Sequence, residues 1–130
     1  MYTFAILATG LLAALLALAC NHILLRLWQR ETVSLLLGPV IEETSKTGLA
    51  LLAGVSLAGV HSVFGFAEGI WELVNRPGNI KPALAAWGVH SLLGFLVQIT
   101  YIYSDQAILA WITGCLLHAG WNGLIFTLHH

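Results

Sequence analysis

Apolar residues fill the chain from Tyr2 to Leu25 with no Asp, Glu, Lys or Arg among them, and similar runs recur toward the C-terminal end. Short polar clusters separate them: "RLWQRET" at Arg26–Thr32, "NRPGNIKP" at Asn75–Pro82, and Tyr103–Ser104–Asp105. Crossing a bilayer takes about 20 mostly apolar residues. The pattern predicts five such segments, near 2–28, 32–57, 59–75, 82–104 and 106–128. The boundary near Gly59 has the weakest signal, and the third segment is short enough to be broken or partly re-entrant. The first run has no basic residue before it and exceeds the roughly 7–15 residues of a signal-peptide core, so it reads as a retained span. With no repeat or low-complexity tract, residues 1–130 read as one integral membrane domain. The expected fold is all-α, a polytopic transmembrane helix bundle of about five spans.

Composition strengthens this picture. The chain is 58% hydrophobic and 8% charged, against roughly 25% charged in soluble domains. So few charges cannot cover a water-facing surface. A net charge of −1 gives no footprint for nucleic acid. Cys20 and Cys115 both lie in apolar runs and read as small buried hydrophobes, not a disulfide or metal pair. Outside the spans the basic residues are Arg26, Arg30, Arg76 and Lys81, all in the first and third connections. The positive-inside rule places those connections in the cytoplasm, giving an N-out/C-in topology. The expected location is the inner (plasma) membrane of a prokaryote, with Trp28, Trp71 and Trp87 in the interfacial belt and His129 and His130 in a solvated tail.

Ionisable groups inside spans cost several kcal/mol and are functional candidates by default. Depth can be read at 1.5 Å per helical residue. Counted from the cytoplasmic edge of each span, Glu42, Glu43 and His118 lie about 15 Å deep, His90 about 12 Å, Glu68 about 10 Å and Asn122 about 9 Å. Four helices thus bring acids and imidazoles to one level, in the cytoplasmic half. Glu42 and Lys46 are i, i+4 and share a face, and Lys46 can neutralise one of the two carboxylates. Glu42 and Glu43 are expected to share a proton near neutral pH, which suits a general base. His118 and Asn122, also i, i+4, can aim two donors at one point, as an oxyanion site requires. Glu68 and Glu72 repeat the spacing.

Each feature also has a plain structural reading. Glu42–Lys46 alone would be a packing ion pair, and His118–Asn122 alone would be interhelical hydrogen-bond glue. His90 beside Ser91 and Gly94 is by itself more often structural. Gly65 and Gly69 read as close helix packing, and His22 and His61 as interfacial residues near span ends. The convergence in depth favours function over these.

The motif set resembles that of PrsW-type intramembrane proteases, which belong with the CAAX prenyl endopeptidases and bacteriocin-processing enzymes in the CPBP superfamily. "EETSK" at Glu42–Lys46 is similar to their EExxK, "FGFAE" at Phe64–Glu68 to FxxxE, "HSLLG" supplies His90, and "HAGWN" supplies His118 and Asn122. The resemblance covers about residues 38–126. An alignment on "GFA" would shift the second acid toward Glu72, and the HxxxN ending is closer to the prenyl-protease branch. The resemblance implies hydrolysis of a peptide bond in a membrane-embedded or lipid-modified substrate. Glu42 or Glu43 would activate water, and Glu68 and His90 would orient that water. His118 and Asn122 would stabilise the oxyanion, with Lys46 and Glu72 in support. Glu68, His90 and His118 are the candidate ligands if a divalent metal such as Zn²⁺ takes part, and a metal-free glutamate mechanism is equally compatible. Expected partners are membrane lipid and a membrane protein or peptide substrate, and oligomers are compatible. A carrier or ion- or cofactor-binding subunit, and a non-catalytic accessory subunit, are the competing classes.

Overall fold

The computed structural model describes residues 1–129. His130, expected in the tail, lies outside them. The described chain is all-helical. Five long helices are α1 (Tyr2–Leu27), α3 (Gly38–Ala53), α4 (Leu57–Asn75), α5 (Lys81–Ser104) and α6 (Ala107–His129). A single short turn, α2 (Arg30–Thr32), and a π-helical segment, Val33–Leu37, lead into α3 without a break.

The connections are closed by specific chemistry. Gly54 ends α3 in the left-handed region at φ 63°. Its N–H donates to the Leu51 carbonyl at 3.2 Å, and the Val55 N–H donates to Ala50 at 3.0 Å, the paired bonds of a Schellman ending. Ser56 then caps α4 by accepting from the Gly59 N–H at 3.1 Å. The turn between the second and third segments is therefore Gly54–Ser56, not Gly59, and α4 runs unbroken. Gly59 sits inside the helix because its bare Cα admits Ile6 of α1; a methyl there would lie 2.9 Å from the Ile6 side chain.

Helices α4 and α5 form the most extensive pair. Glycines set their separation. A methyl at Gly65 would fall 2.6 Å from Cβ of His90, one at Gly69 would fall 2.9 Å from the Ala83 carbonyl, and one at Gly94 would overlap Cβ of His61. The expected packing role of Gly65 and Gly69 thus has a steric cause. α1 lies across α3 and α4, and α6 lies against α3 and α5. The core is small-residue rich, with Ala13, Ala17, Ala50, Val60, Val97 and Ala110 buried. Large apolar residues point outward instead: Phe4 is 75%, Leu52 86% and Leu116 69% exposed. That distribution suits a solvent as apolar as the core, where close backbone approach drives association. By length and composition, α1, α5 and α6 can each cross a membrane. Both cysteines are free and half-buried.

Candidate functional site

Glu43 lies at the centre of the polar cluster. Its side chain is fully buried and every oxygen is engaged. Oε1 accepts from Lys46 Nζ at 2.6 Å and from His118 Nδ1 at 3.0 Å, and Oε2 faces His61 Nε2 at 2.9 Å. Gly114 on α6 makes the space, since a methyl there would sit 2.5 Å from Oε2. Lys46 therefore pairs with Glu43 at i, i+3 rather than with Glu42 at i, i+4 as the spacing suggested. Both spacings share a helix face, and the position of His118 and His61 decides between them.

Lys46 reaches further. Its ammonium also donates to His90 Nδ1 at 3.1 Å and lies 4.5 Å from the centroid of Phe64, a cation–π contact. An ammonium only donates, so Nδ1 of His90 is the bare nitrogen. The ring proton is then on Nε2, which donates to Glu68 Oε2 at 2.5 Å. Glu68 is 40% exposed, so the chain of contacts runs from the protein surface to the buried Glu43. His90 and His118 meet edge to face, with centroids 5.1 Å apart.

Glu42 stands apart. The adjacent carboxylates share no hydrogen bond, because neighbouring helical residues do not face one another. His118 lies between them: Nδ1 is on Glu43, and Nε2 points at Glu42 Oε2 across 3.7 Å. That distance is too long for a direct hydrogen bond, and a water could reach both atoms only from beside them. The other oxygen of Glu42 accepts from Asn21 Nδ2 of α1 at 3.2 Å. Glu42 keeps 17% of its side chain exposed.

The structure thus brings together Glu42, Glu43, Lys46, Glu68, His90 and His118 from α3, α4, α5 and α6. It does not bring Glu72 or Asn122 to them. Glu72 faces Arg76 at 3.5 Å near the end of α4. Asn122 is turned away from the point His118 addresses, and its amide donates to the Ser34 carbonyl at 2.8 Å. The cause is local. In the π segment the Gly38 N–H bonds back to Val33 O, five residues away. The next bond would run from residue 39 to Ser34, but residue 39 is proline and has no N–H. Asn122 supplies the missing donor. Beside it a cavity of about 650 Å³ opens between Arg30, Ser34, Trp121 and Asn122.

Two participants escaped the sequence reading. Asn21 is polar in an apolar span, about 10 Å from the Trp28 end, and the depth rule applied to α1 would have found it. His61 was placed at an interface and is instead fully buried against Glu43. Counting from a span end treats that end as a membrane surface. Here the N-terminal end of α4 is itself core, with Leu57 1% and Val60 0% exposed.

For a metal, the atoms close enough together belong to Glu42, His90 and His118, all within 4.8 Å of one another. The expected trio with Glu68 does not form, because Glu68 occupies the far nitrogen of His90. Both His90 nitrogens are engaged in this arrangement, so a metal held by Glu42, His90 and His118 would have to displace Lys46 or Glu68 from that ring.

No protein family, curated protein or solved structure matches the chain.

Proposed function

We propose that this chain is an intramembrane endopeptidase of the PrsW/CPBP kind, acting on a membrane-embedded or lipid-modified peptide by a metal-free glutamate mechanism. The observation that carries the reading is the gap between Glu42 and His118. It sets an oxygen of the partly exposed Glu42 3.7 Å from an imidazole whose other nitrogen is fixed, so that one water lying beside the pair could bond to both. Glu42 is the base. It takes a proton from that water as the oxygen attacks the scissile carbonyl carbon, forming a tetrahedral oxyanion. The same proton passes to the amide nitrogen as the C–N bond breaks, leaving a carboxylic acid and an amine. His118, whose Nδ1–H is on Glu43, holds the water through its bare Nε2 and can donate to the oxyanion only when that nitrogen is protonated. Glu43 is the fixed counter-ion of Lys46 and His118, and Glu68 and Lys46 hold the ring of His90 against His118. Asn122 keeps the entrance of α3 in shape instead of donating to the oxyanion.

Five spans in an N-out/C-in arrangement belong to this reading. The helical run Arg30–Ala53 is about 36 Å long, and α4, with 19 residues, is about 28 Å long. Each therefore nearly matches or exceeds a hydrocarbon core of about 30 Å. They are less apolar than the other three because their acids and histidines face the bundle interior, where such residues belong. The site then lies in the cytoplasmic half of the bilayer.

The test is cleavage of candidate membrane peptides by the purified protein in lipid, comparing wild type with Glu42→Gln. Turnover lost in the variant, with melting unchanged, supports the assignment. Equal turnover in both sinks it. One observation favours a second reading, a proton-conducting subunit: the contacts from exposed Glu68 through His90 and Lys46 to Glu43 are continuous. Proton flux into protein vesicles, absent in Glu68→Gln, would favour that alternative.

A further inference from the structure

We infer that His61 is a positioning residue that clamps the Glu43 carboxylate, and that the His61–Glu43 contact holds one proton more than a neutral imidazole and a carboxylate carry in their usual pairing. The inference rests on the proposed reading for its kinetic consequence and on geometry alone for its structural one.

The ring of His61 is fully buried. Its Nδ1 lies 2.8 Å from the Leu57 carbonyl, and its Nε2 lies 2.9 Å from Glu43 Oε2. A carbonyl oxygen can only accept, so Nδ1 carries a proton. A neutral ring has one N–H, which leaves Nε2 bare against a carboxylate oxygen, two acceptors face to face. The contact closes only with one further proton, on Nε2 as an imidazolium or on Oε2 as a carboxylic acid. The opposite tautomer would set bare Nδ1 against the Leu57 carbonyl, which is no better. The Lys46 ammonium adds its own donor to Oε1 of the same carboxylate.

Room for this contact is built from both sides. Gly94 of α5 lies against Cβ and Cγ of His61, and Gly114 of α6 lies against the carboxylate it clamps. Each glycine is replaced only by pushing His61 or Glu43 aside. Glu43 in turn holds Nδ1 of His118, the ring that faces Glu42. His61 is thus one carboxylate removed from the proposed water site and touches neither water nor substrate. Its action on the reaction passes through Glu43 and His118.

Two substitutions separate clamping from space filling. Gln places an amide N–H where Nε2 was and keeps a donor toward Glu43. Asn places its amide where Nδ1 was, keeps the donor toward Leu57 and cannot reach Glu43. The first measurement needs no substrate. Ring ¹⁵N spectra of histidine-labelled protein in lipid nanodiscs are recorded for wild type, His61→Gln and His61→Asn, with His118→Gln to assign His118. The expected result is a protonated Nδ1 on His61, and His118 resonances displaced in His61→Asn more than in His61→Gln. A bare Nδ1 on His61, or His118 resonances alike in all three proteins, overturns the clamp. The second measurement is cleavage. In His61→Asn kcat falls on the order of 10- to 100-fold, the range for partners that orient functional side chains, with KM unchanged and a smaller loss in His61→Gln. Equal losses in both variants would make His61 a space filler. Absence of cleavage in the wild-type protein would overturn the proposed reaction while the spectra still decide the role of His61.

Discussion

Replacing Lys46 by Met keeps the length and shape of the side chain and removes its charge. Lys46 is 0% exposed, and its ammonium sits 2.6 Å from a Glu43 carboxylate that is also 0% exposed. An exposed pair would contribute about 0–1 kcal/mol. A buried pair behaves differently on truncation, because the remaining charge is stranded, and the loss is about 3–5 kcal/mol. Two imidazoles still touch Glu43, which places the expected loss at the lower end, near 3 kcal/mol. The bare nitrogen of His90 also loses its donor, which adds about 1 kcal/mol. The assay is unfolding in mixed micelles followed by circular dichroism. The Lys46→Met, Glu43→Gln double variant completes a cycle, because a neutral amide leaves no stranded charge. The double variant should be more stable than Lys46→Met alone, by about 2 kcal/mol or more. A single-variant loss under about 1 kcal/mol, or strict additivity in the cycle, would refute the assignment of Lys46 as the counter-ion of a buried Glu43.

Asn122→Ala should cost about 1 kcal/mol in the same assay, and Pro39→Ala should remove most of that cost by restoring a backbone donor to Ser34. Gly114→Ala should destabilise by about 1–3 kcal/mol and displace Glu43, since the added methyl meets its carboxylate; an unperturbed carboxyl infrared band would contradict this. A fluorescent reporter that folds only in the cytoplasm should glow when fused to the C-terminus, whereas activity of a periplasmic reporter at that point would reverse the proposed topology.

Much of the architecture is written in the alternation of apolar runs and polar breaks. Helix α5 begins at Lys81 and α6 at Ala107, within two residues of the breaks marked by Pro82 and Asp105. The meeting of Glu42, Glu43, Glu68, His90 and His118 is legible too, because depth along a helix is arithmetic and a membrane gives all helices a common zero. Pairing is not legible in that way. Lys46 could choose Glu42 or Glu43 from its own helix, and residues on α4 and α6 made the choice. Asn122 was matched to His118 by spacing, yet its partner is set by an absent N–H at Pro39 on another helix. His61 failed for a third reason, since nothing in the residues at the start of α4 distinguishes a buried helix end from a wet one.

The π segment before α3 has a consequence for reading related chains. A π turn amounts to one extra residue absorbed in an otherwise α-helical run, and Val33 stacks with Gly38 five positions on. Counting turns from Arg30 into the acidic motif therefore puts every later side chain one residue out of phase, about 100° around the axis. A chain lacking one residue between positions 33 and 37 would present the same two glutamates from an ordinary α-helix. Pro39 would then fall four residues after Ser34, so the Ser34 carbonyl would still lack a backbone donor and the residue at the place of Asn122 would keep its bond to it.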